Sequence, residues 1–282
     1  METLQNLKLA VVGHVEWMTF LAVDALPKPG LVGHAHQCLE EPAGGGAVSA
    51  VQMARLSQAE VHFFTALGRD SHGEQSLMRL QQLGLNVHVA WREQPTRQGV
   101  SMVDESGERA ITVIGDRLQP SGSDPLPWER LAGFDGVFAT AADARALRIC
   151  RTAKILTATP RLSLPTLREA SVELDAIVGS GLDPDEQIPE SALIPPPRIR
   201  VATEGNAGGV LTPGGRYPAL APPKPIVDSY GCGDSFAAGF TIGLAAGYPI
   251  HQAAALGAQA GASCTGWFGP YQDNIEVDRG NR

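Results

Sequence analysis

Residues Asp228–Phe240 read DSYGCGDSFAAGF: a polar turn, the segment Gly231-Cys232-Gly233-Asp234, then small and apolar residues. Glycines let the main chain approach a ligand closely and take left-handed dihedrals. Ser235–Leu244 reads as a helix, and the start of a helix presents unpaired N–H groups that hold anions. An aspartate placed there repels a phosphate. It has a use if it accepts the proton of a hydroxyl that attacks the phosphate. The local pattern admits two readings. One is a phosphoryl-transfer site with Asp234 as base; the other is an ordinary turn and helix cap, where Gly and Asp are both common.

Outward from this segment, short apolar runs alternate with helical stretches. Leu7–Val12 (LKLAVV) reads as a buried strand ending at Gly13. The loop beyond it supplies His14, Glu16 and Trp17, the first two suited to hydrogen-bonding a polyol and the third to stacking on it. Loop surface and core packing are the competing reading. Pro42–Leu56 brings Gly44, Gly45 and Gly46 as a flexible turn feeding a helix, again suited to close approach of a ligand. Further strands are expected at Val61–Ala66, Val87–Ala90, Gly136–Ala139, Ile155–Thr159, Ala176–Val178 and Arg198–Ala202. Helices are expected at Glu74–Leu83, Asp143–Cys150, Leu164–Ala170 and His251–Thr265. This alternation predicts an α/β fold of three layers, a mostly parallel sheet with helices on both faces. Thr19–Glu41 and Thr96–Ile114 are β-prone, and Asp104–Gly107 reads as a hairpin turn; together they predict a small sheet projecting from the body. Thr203–Gly209 (TEGNAGG) is a glycine turn at a strand end, suited to nucleotide phosphates. Pro189–Pro197 reads as a surface connection, and the polar Gln272–Arg282 is expected to fray.

Composition bounds the partners. The chain has 282 residues, 43% of them hydrophobic, with 32 Gly and 21 Pro, enough for a real core and many turns. A net charge of -8 and a pI near 5.4 argue against a nucleic-acid partner. The cysteines Cys38, Cys150, Cys232 and Cys264 form no CxxC pair, so a disulfide scaffold or structural zinc is not expected. No run approaches a membrane span, and a soluble cytoplasmic protein is the expectation.

Four separated motifs now agree. Gly44-Gly45-Gly46 through Ala54-Arg55-Leu56, TALGRDSHG at Thr65–Gly73, VDESGER at Val103–Arg109 and Asp228–Phe240 occur in an order and spacing that resembles the PfkB (ribokinase-like) family of carbohydrate kinases. The last motif corresponds to the family's DTTGAGDxF. The resemblance spans nearly the whole chain and implies one ribokinase-like domain over residues 1–282, with a β-sheet lid from about residues 19–41 and 96–114. It implies ATP and Mg²⁺, a small sugar, polyol or nucleoside acceptor bound between lid and body, and a homodimer formed through the lids. By family pattern Asp234 is the base, and the amides of Gly231, Cys232 and Gly233 form the anion hole. Thr203, Gly205, Ala207, Gly208 and Cys264 fall on the nucleotide side; His14, Glu16 and Gly44–Gly46 fall on the acceptor side. Asp183 and Asp228 are the metal candidates, and Asp228 and Tyr230 match positions near a monovalent-cation (K⁺) loop.

Three departures concern the acceptor and the metal. Glu16 and Met18 stand where sugar-phosphorylating relatives carry Asn and a substrate-binding Asp. Val48 stands at the Asn of GGxxxN. Ser180-Gly181-Leu182-Asp183 replaces NxxE near the Mg²⁺, with Glu186 as a substitute if the loop folds back. The phosphate machinery is kept while the acceptor pocket is altered, which implies a kinase whose acceptor differs from ribose. A nucleoside kinase using Trp17, and a catalytically weak binding protein of the same fold, are the alternatives.

Overall fold

The computed structural model describes residues 2–107 and 109–272. After a short helix, α1 (Glu2–Gln5), strand β1 (Leu9–Val12) runs through the middle of the protein. Its side chains alternate, Leu9 and Val11 entering one hydrophobic cluster and Ala10 and Val12 the other. A strand apolar on both faces needs cover on both, and a parallel sheet flanked by helices supplies it.

That sheet contains β1 with β4 (Val61–Gly68), β5 (Asn86–Arg92), β8 (Gly136–Ala139), β9 (Ile155–Ala158), β10 (Ala176–Ser180), β11 (Ile199–Thr203), β12 (Gly209–Thr212) and β13 (Gly215–Tyr217). Its nine strands lie in the order β13-β12-β11-β10-β9-β8-β1-β4-β5. All neighbours from β5 to β11 pair in parallel, and β12 and β13 form an antiparallel edge. Helices α2 (Gly44–Ser57), α3 (Ser71–Gln82), α6 (Cys232–Ala245) and α7 (Ile250–Cys264) cover one face through residues such as Val48, Leu80, Phe240 and Ala254. Helices α4 (Ala144–Cys150) and α5 (Leu164–Ala170) cover the other through Leu147 and Leu167. The expected three-layer α/β arrangement is present.

The lid is a separate sheet of β2 (Glu16–Val23), β3 (Ala35–Ala43), β6 (Gln98–Val103) and β7 (Arg109–Ile114), ordered β3-β2-β6-β7. The expected hairpin turn is closed by the Gly107 N–H donating to the Asp104 carbonyl at 2.9 Å. Strand β7 is exposed throughout, leaving Ile111, Val113 and Ile114 at the surface.

Several boundaries differ from the sequence reading. The lid starts at Glu16, so Glu16 and Trp17 are strand residues and not loop. Gly44–Gly46 form the first turn of α2, not a linker before it. Helix α6 begins at Cys232, which puts the glycine-aspartate motif inside its first turn. Helix α3 begins at Ser71 because the Asp70 carboxylate caps it, accepting from the Gly73 N–H at 2.7 Å. Of the expected frayed end, residues 273–282 lie outside the described residues. Among the described residues no helix is long and apolar enough to cross a membrane.

Candidate active site

The parallel strands deliver their carboxyl ends to one edge of the sheet. There β1 releases Gly13 and His14, β9 releases Pro160 and Arg161, β10 releases Gly181–Asp183 and β11 releases Glu204–Gly208. Open α/β sheets bind ligands at this edge. Helix α6 starts with Gly231 as its N-cap at φ 78, a left-handed conformation suited to glycine. Helix α2 lies against α6, with the Ser49 hydroxyl donating to the Asp234 carbonyl at 3.4 Å. A Cβ built on Gly45 would lie 3.0 Å from Asp234 Oδ1 and 3.6 Å from His14 Cε1. The glycine is therefore the gap into which Asp234 and His14 both face. The Gly44 N–H donates to the Tyr230 hydroxyl at 3.2 Å, tying the two motifs together. Sequence positions 14, 44–46 and 231–234, far apart in the chain, thus form one site.

Asp234 is the third helical residue of α6. The amides of Gly233 and Asp234 belong to a first turn that has no preceding helical carbonyl to bond. Burial raises the Asp234 carboxyl to about 7, the negative charges of Glu186 and Glu16 push the same way, and Arg109 and Arg161 oppose them. A carboxylate that holds its proton near neutrality accepts one readily from a hydroxyl at physiological pH.

The two apolar departures noted in the sequence, Met18 and Val48, are both buried. Met18 is fully buried against Gly99, whose Cβ would lie 2.5 Å from the Met18 sulfur. Val48 is fully buried against Gly231. Both positions are packing. His14 and Glu16, each 8% exposed, meet beside Gly44, with His14 Nε2 and Glu16 Oε1 at 3.7 Å. Burial raises the Glu16 carboxyl, against the pull of Arg97 and Arg117. Trp17 stacks on His72, with ring centroids 5.4 Å apart. It alternates with Glu16 and Met18 along β2, so it faces the opposite side of the lid sheet from them.

Thr203 closes β11, and Gly205–Ala207 form one tight turn ending at Gly208. Arg161 bridges the loop after β10, its guanidinium pairing with Asp183 at 2.5 Å and Glu186 at 2.7 Å. The loop does fold back, since Glu186 Oε2 accepts from the Ser180 N–H at 2.8 Å. Asp228 is buried, and its two oxygens accept from the N–H groups of Tyr230 (2.9 Å) and Gly269 (3.2 Å). Cys264 ends α7 with its sulfur 3.2 Å from that of Cys232. Among the described residues no three of His, Cys, Asp and Glu gather into a metal-binding group.

Arginines 97, 109, 117 and 161 escaped the sequence reading. Arg161 carried a readable signal, because it follows a strand at the ligand edge. Arg97 is placed by register: Trp17 pairs with Gln98, which sets Arg97 beside Glu16, and their side chains meet at 3.1 Å.

The profile of the family described as "pfkB family carbohydrate kinase" matches residues 6–276. The chain belongs to this family. Ribokinase of Arabidopsis thaliana is 23% identical over 91% of this chain and 75% of its own length. The solved structure of an Arabidopsis thaliana ribokinase with ribose and ATP has a TM-score of 0.70 at 18% identity, covering 92% of each chain. Adenosine kinase of Sinorhizobium meliloti has a TM-score of 0.74 at 17% identity, covering 94% of this chain and 96% of its own. At such identities the structural likeness shows the fold. Acarbose 7(IV)-phosphotransferase of Actinoplanes sp. is 46% identical over 74 residues, 24% of this chain and 25% of that enzyme. That match spans about a quarter of the phosphotransferase. A PfkB member is a kinase; the acceptor and the residue roles need the site itself.

Proposed function

We propose that this kinase moves the γ-phosphoryl group of ATP to a hydroxyl of a small sugar or related polyol. The observation that carries this reading is Asp234 itself, a half-buried carboxylate with its pKa at about 7, set in the first turn of α6 behind the Gly231 N-cap. The acceptor hydroxyl binds in the gap at Gly45 and gives its proton to Asp234 Oδ1. The oxygen then attacks the γ-phosphorus in line as the bond to the bridging oxygen of ADP breaks and ADP leaves, and the amides of Gly231, Cys232 and Gly233 hold the charge that spreads over the transferring oxygens. The lid, whose strand β2 begins at Glu16, keeps water, a competing acceptor, from the attack.

Thr203, Gly205, Ala207 and Gly208 line the nucleotide in this reading, and Cys264 backs the anion turn. Mg²⁺ normally stays on the phosphates and keeps several waters, so the absence of a dense protein cage fits it. Asp183 and Glu186 are the carboxylates that would face it, and when bound it would neutralise phosphate charge. Asp228 is the further candidate, its two oxygens each accepting one backbone N–H and keeping a lone pair. The same bonds fix the 228–230 turn against the 264–269 loop. A nucleoside acceptor is the second reading; Trp17 stacks on His72, so another surface would hold its base.

A coupled ADP-release assay over a panel of sugars, polyols and nucleosides tests the reading. The expected result is acceptor-dependent ADP formation with kcat/KM rising with pH through an apparent pKa of about 7, because Asp234 works only when deprotonated. Flat pH dependence between 5 and 9, in ~unit steps, would show that another group takes the proton.

A further inference from the structure

Arg117 is a cation with no carboxylate partner among the described residues. It follows β7, is half-buried, and donates to the main-chain oxygen of Arg161 at 3.0 Å. Its neighbours make the charge harder to hold. Burial lowers its pKa, Arg97 and Arg161 lower it further, and Glu16 alone opposes them. The other guanidiniums have their counter-ions: Arg97 pairs with Glu16, and Arg161 with Asp183 and Glu186. Even so, Arg97 Nε is buried without a hydrogen-bond partner, and so is Nδ1 of His14, itself 8% exposed. Burial holds the His14 ring at a pKa of about 3, helped by Arg117, Arg97 and Arg161, so the ring is neutral and adds no positive charge. Clustered guanidiniums and unsatisfied donors in a partly dry pocket are costly unless a ligand brings a negative charge.

We propose that the acceptor carries an oxyanion group, a carboxylate or a phosphate monoester, gripped by Arg117 and Arg97 while its hydroxyl lies against Asp234. This rests on the kinase reading above. The planar guanidinium fork suits either anion. It also gives the altered acceptor pocket a positive use. Met18 and Val48 are packed into the core, and recognition passes to the lid-side arginines.

The test compares acceptors of one carbon skeleton: the neutral hexose, its aldonate and its monophosphate. Wild-type kcat/KM is expected to be at least about tenfold higher for one of the two anions than for the neutral sugar. Arg117→Gln should lose most of that ratio through KM, with its melting temperature kept. An equal or greater kcat/KM for the neutral sugar, or an unchanged ratio in Arg117→Gln, overturns the proposal. If no acceptor yields ADP, the kinase reading fails, and inorganic phosphate decides the anion question separately by thermal shift. Phosphate should stabilise wild type more than Arg117→Gln; equal shifts overturn the proposal. Whichever anion is preferred names the group.

Cys232 is the first helical residue of α6 and half-buried, whereas Cys264 is 1% exposed at the end of α7. Their sulfurs are 3.2 Å apart, with the Cys264 thiol donating to Cys232. That donation holds the Cys232 thiol below its usual pKa, and the charge of Arg109 acts the same way. Cys264 is pushed far up, first by the same hydrogen bond and then by burial. The reachable sulfur is therefore the more readily ionised one, and the covered sulfur is the resolving one.

We infer that Cys232 and Cys264 form a reversible disulfide that switches off the anion hole. The oxidant is a low-molecular-weight disulfide. The Cys232 thiolate attacks one of its sulfurs and expels a thiolate, leaving a mixed disulfide. Cys264 then loses its proton, attacks the Cys232 sulfur and expels the second thiolate. Two protein thiols lose two electrons in all, and the oxidant becomes two thiols. Closing the sulfurs from 3.2 Å to a bond of about 2.0 Å drags the first turn of α6 toward α7 and moves the amides of Cys232 and Gly233.

Oxidised glutathione is the probe, on a Cys38→Ser protein, because Cys38 is exposed. The expected results are an intact mass lower by two hydrogens, a Cys232–Cys264 cross-linked peptide, and kinase activity lost and then restored by dithiothreitol. With Cys264→Ser added, glutathione should instead remain attached at Cys232. A wild-type pair that stays reduced, or a cross-linked protein of full activity, overturns the inference.

Discussion

Asp234→Asn is expected to lower phosphoryl transfer by about 10²–10⁴-fold while leaving the fold and nucleotide binding in place. The amide keeps the shape of the carboxylate but cannot take the proton of the acceptor hydroxyl. Single-turnover phosphoryl transfer is the direct readout, with nucleotide-analogue titration to show that binding persists. The same variant has a second, opposite effect. The folded-state pKa of Asp234 is raised from 3.8 to about 7, so the folded chain holds this proton more tightly than the unfolded one. Its contribution to stability therefore falls as pH rises from about 4 through 7 and is most unfavourable above 7. Replacing it by Asn should stabilise the protein at pH 8 by on the order of 2 kcal/mol, allowing for partial exposure, and the gain should vanish by about pH 4. Loss of activity with higher stability at pH 8 is the signature of a strained base. Loss of activity with lower stability at every pH would make Asp234 a structural cap instead.

Much of the architecture could be read from the chain because its signals are contiguous. Strand β8 stands at Gly136–Ala139, as its four apolar residues predict, and α6 follows its glycines within one short segment. Other features depend on partners that the local sequence does not show. Trp17 looks like a stacking residue until strand parity turns it away from Glu16 and onto His72. Met18 and Val48 look like missing sugar contacts until Gly99 and Gly231 appear against them. Arg117 is an unremarkable charge in sequence, and only the crossing of lid and sheet edge brings it beside Arg161. Cys232 and Cys264 are 32 positions apart and meet because α6 and α7 pack along their lengths. Local chemistry thus announces the glycine-aspartate turn, which is built on one helix end, while His14, Arg97, Arg117 and Arg161 come together from separate segments of the chain.

The second large effect is expected at Gly231, and it tests the helix end and not the base. Gly231→Ala should reduce kcat by about 10²–10³-fold, the range for losing a preorganised oxyanion donor. Two costs arise together. The residue caps α6 at φ 78, where an L side chain costs about 1–2 kcal/mol. The new Cβ would also lie 2.8 Å from Val48 Cγ1, and Val48 is fully buried in α2. Helix α2 is held by the core, so the strain is relieved by shifting the first turn of α6. That shift carries the amides of Cys232 and Gly233 and the Asp234 carboxylate out of line with the phosphorus. Adding Val48→Ala removes the collision but leaves the dihedral cost, so the double variant should recover about tenfold of the lost kcat. Because the acceptor pocket is untouched, acceptor KM should stay near wild type in both variants. A Gly231→Ala enzyme with wild-type kcat would show that the amides of this turn do not carry the developing charge, and the anion hole would have to be sought elsewhere along the sheet edge.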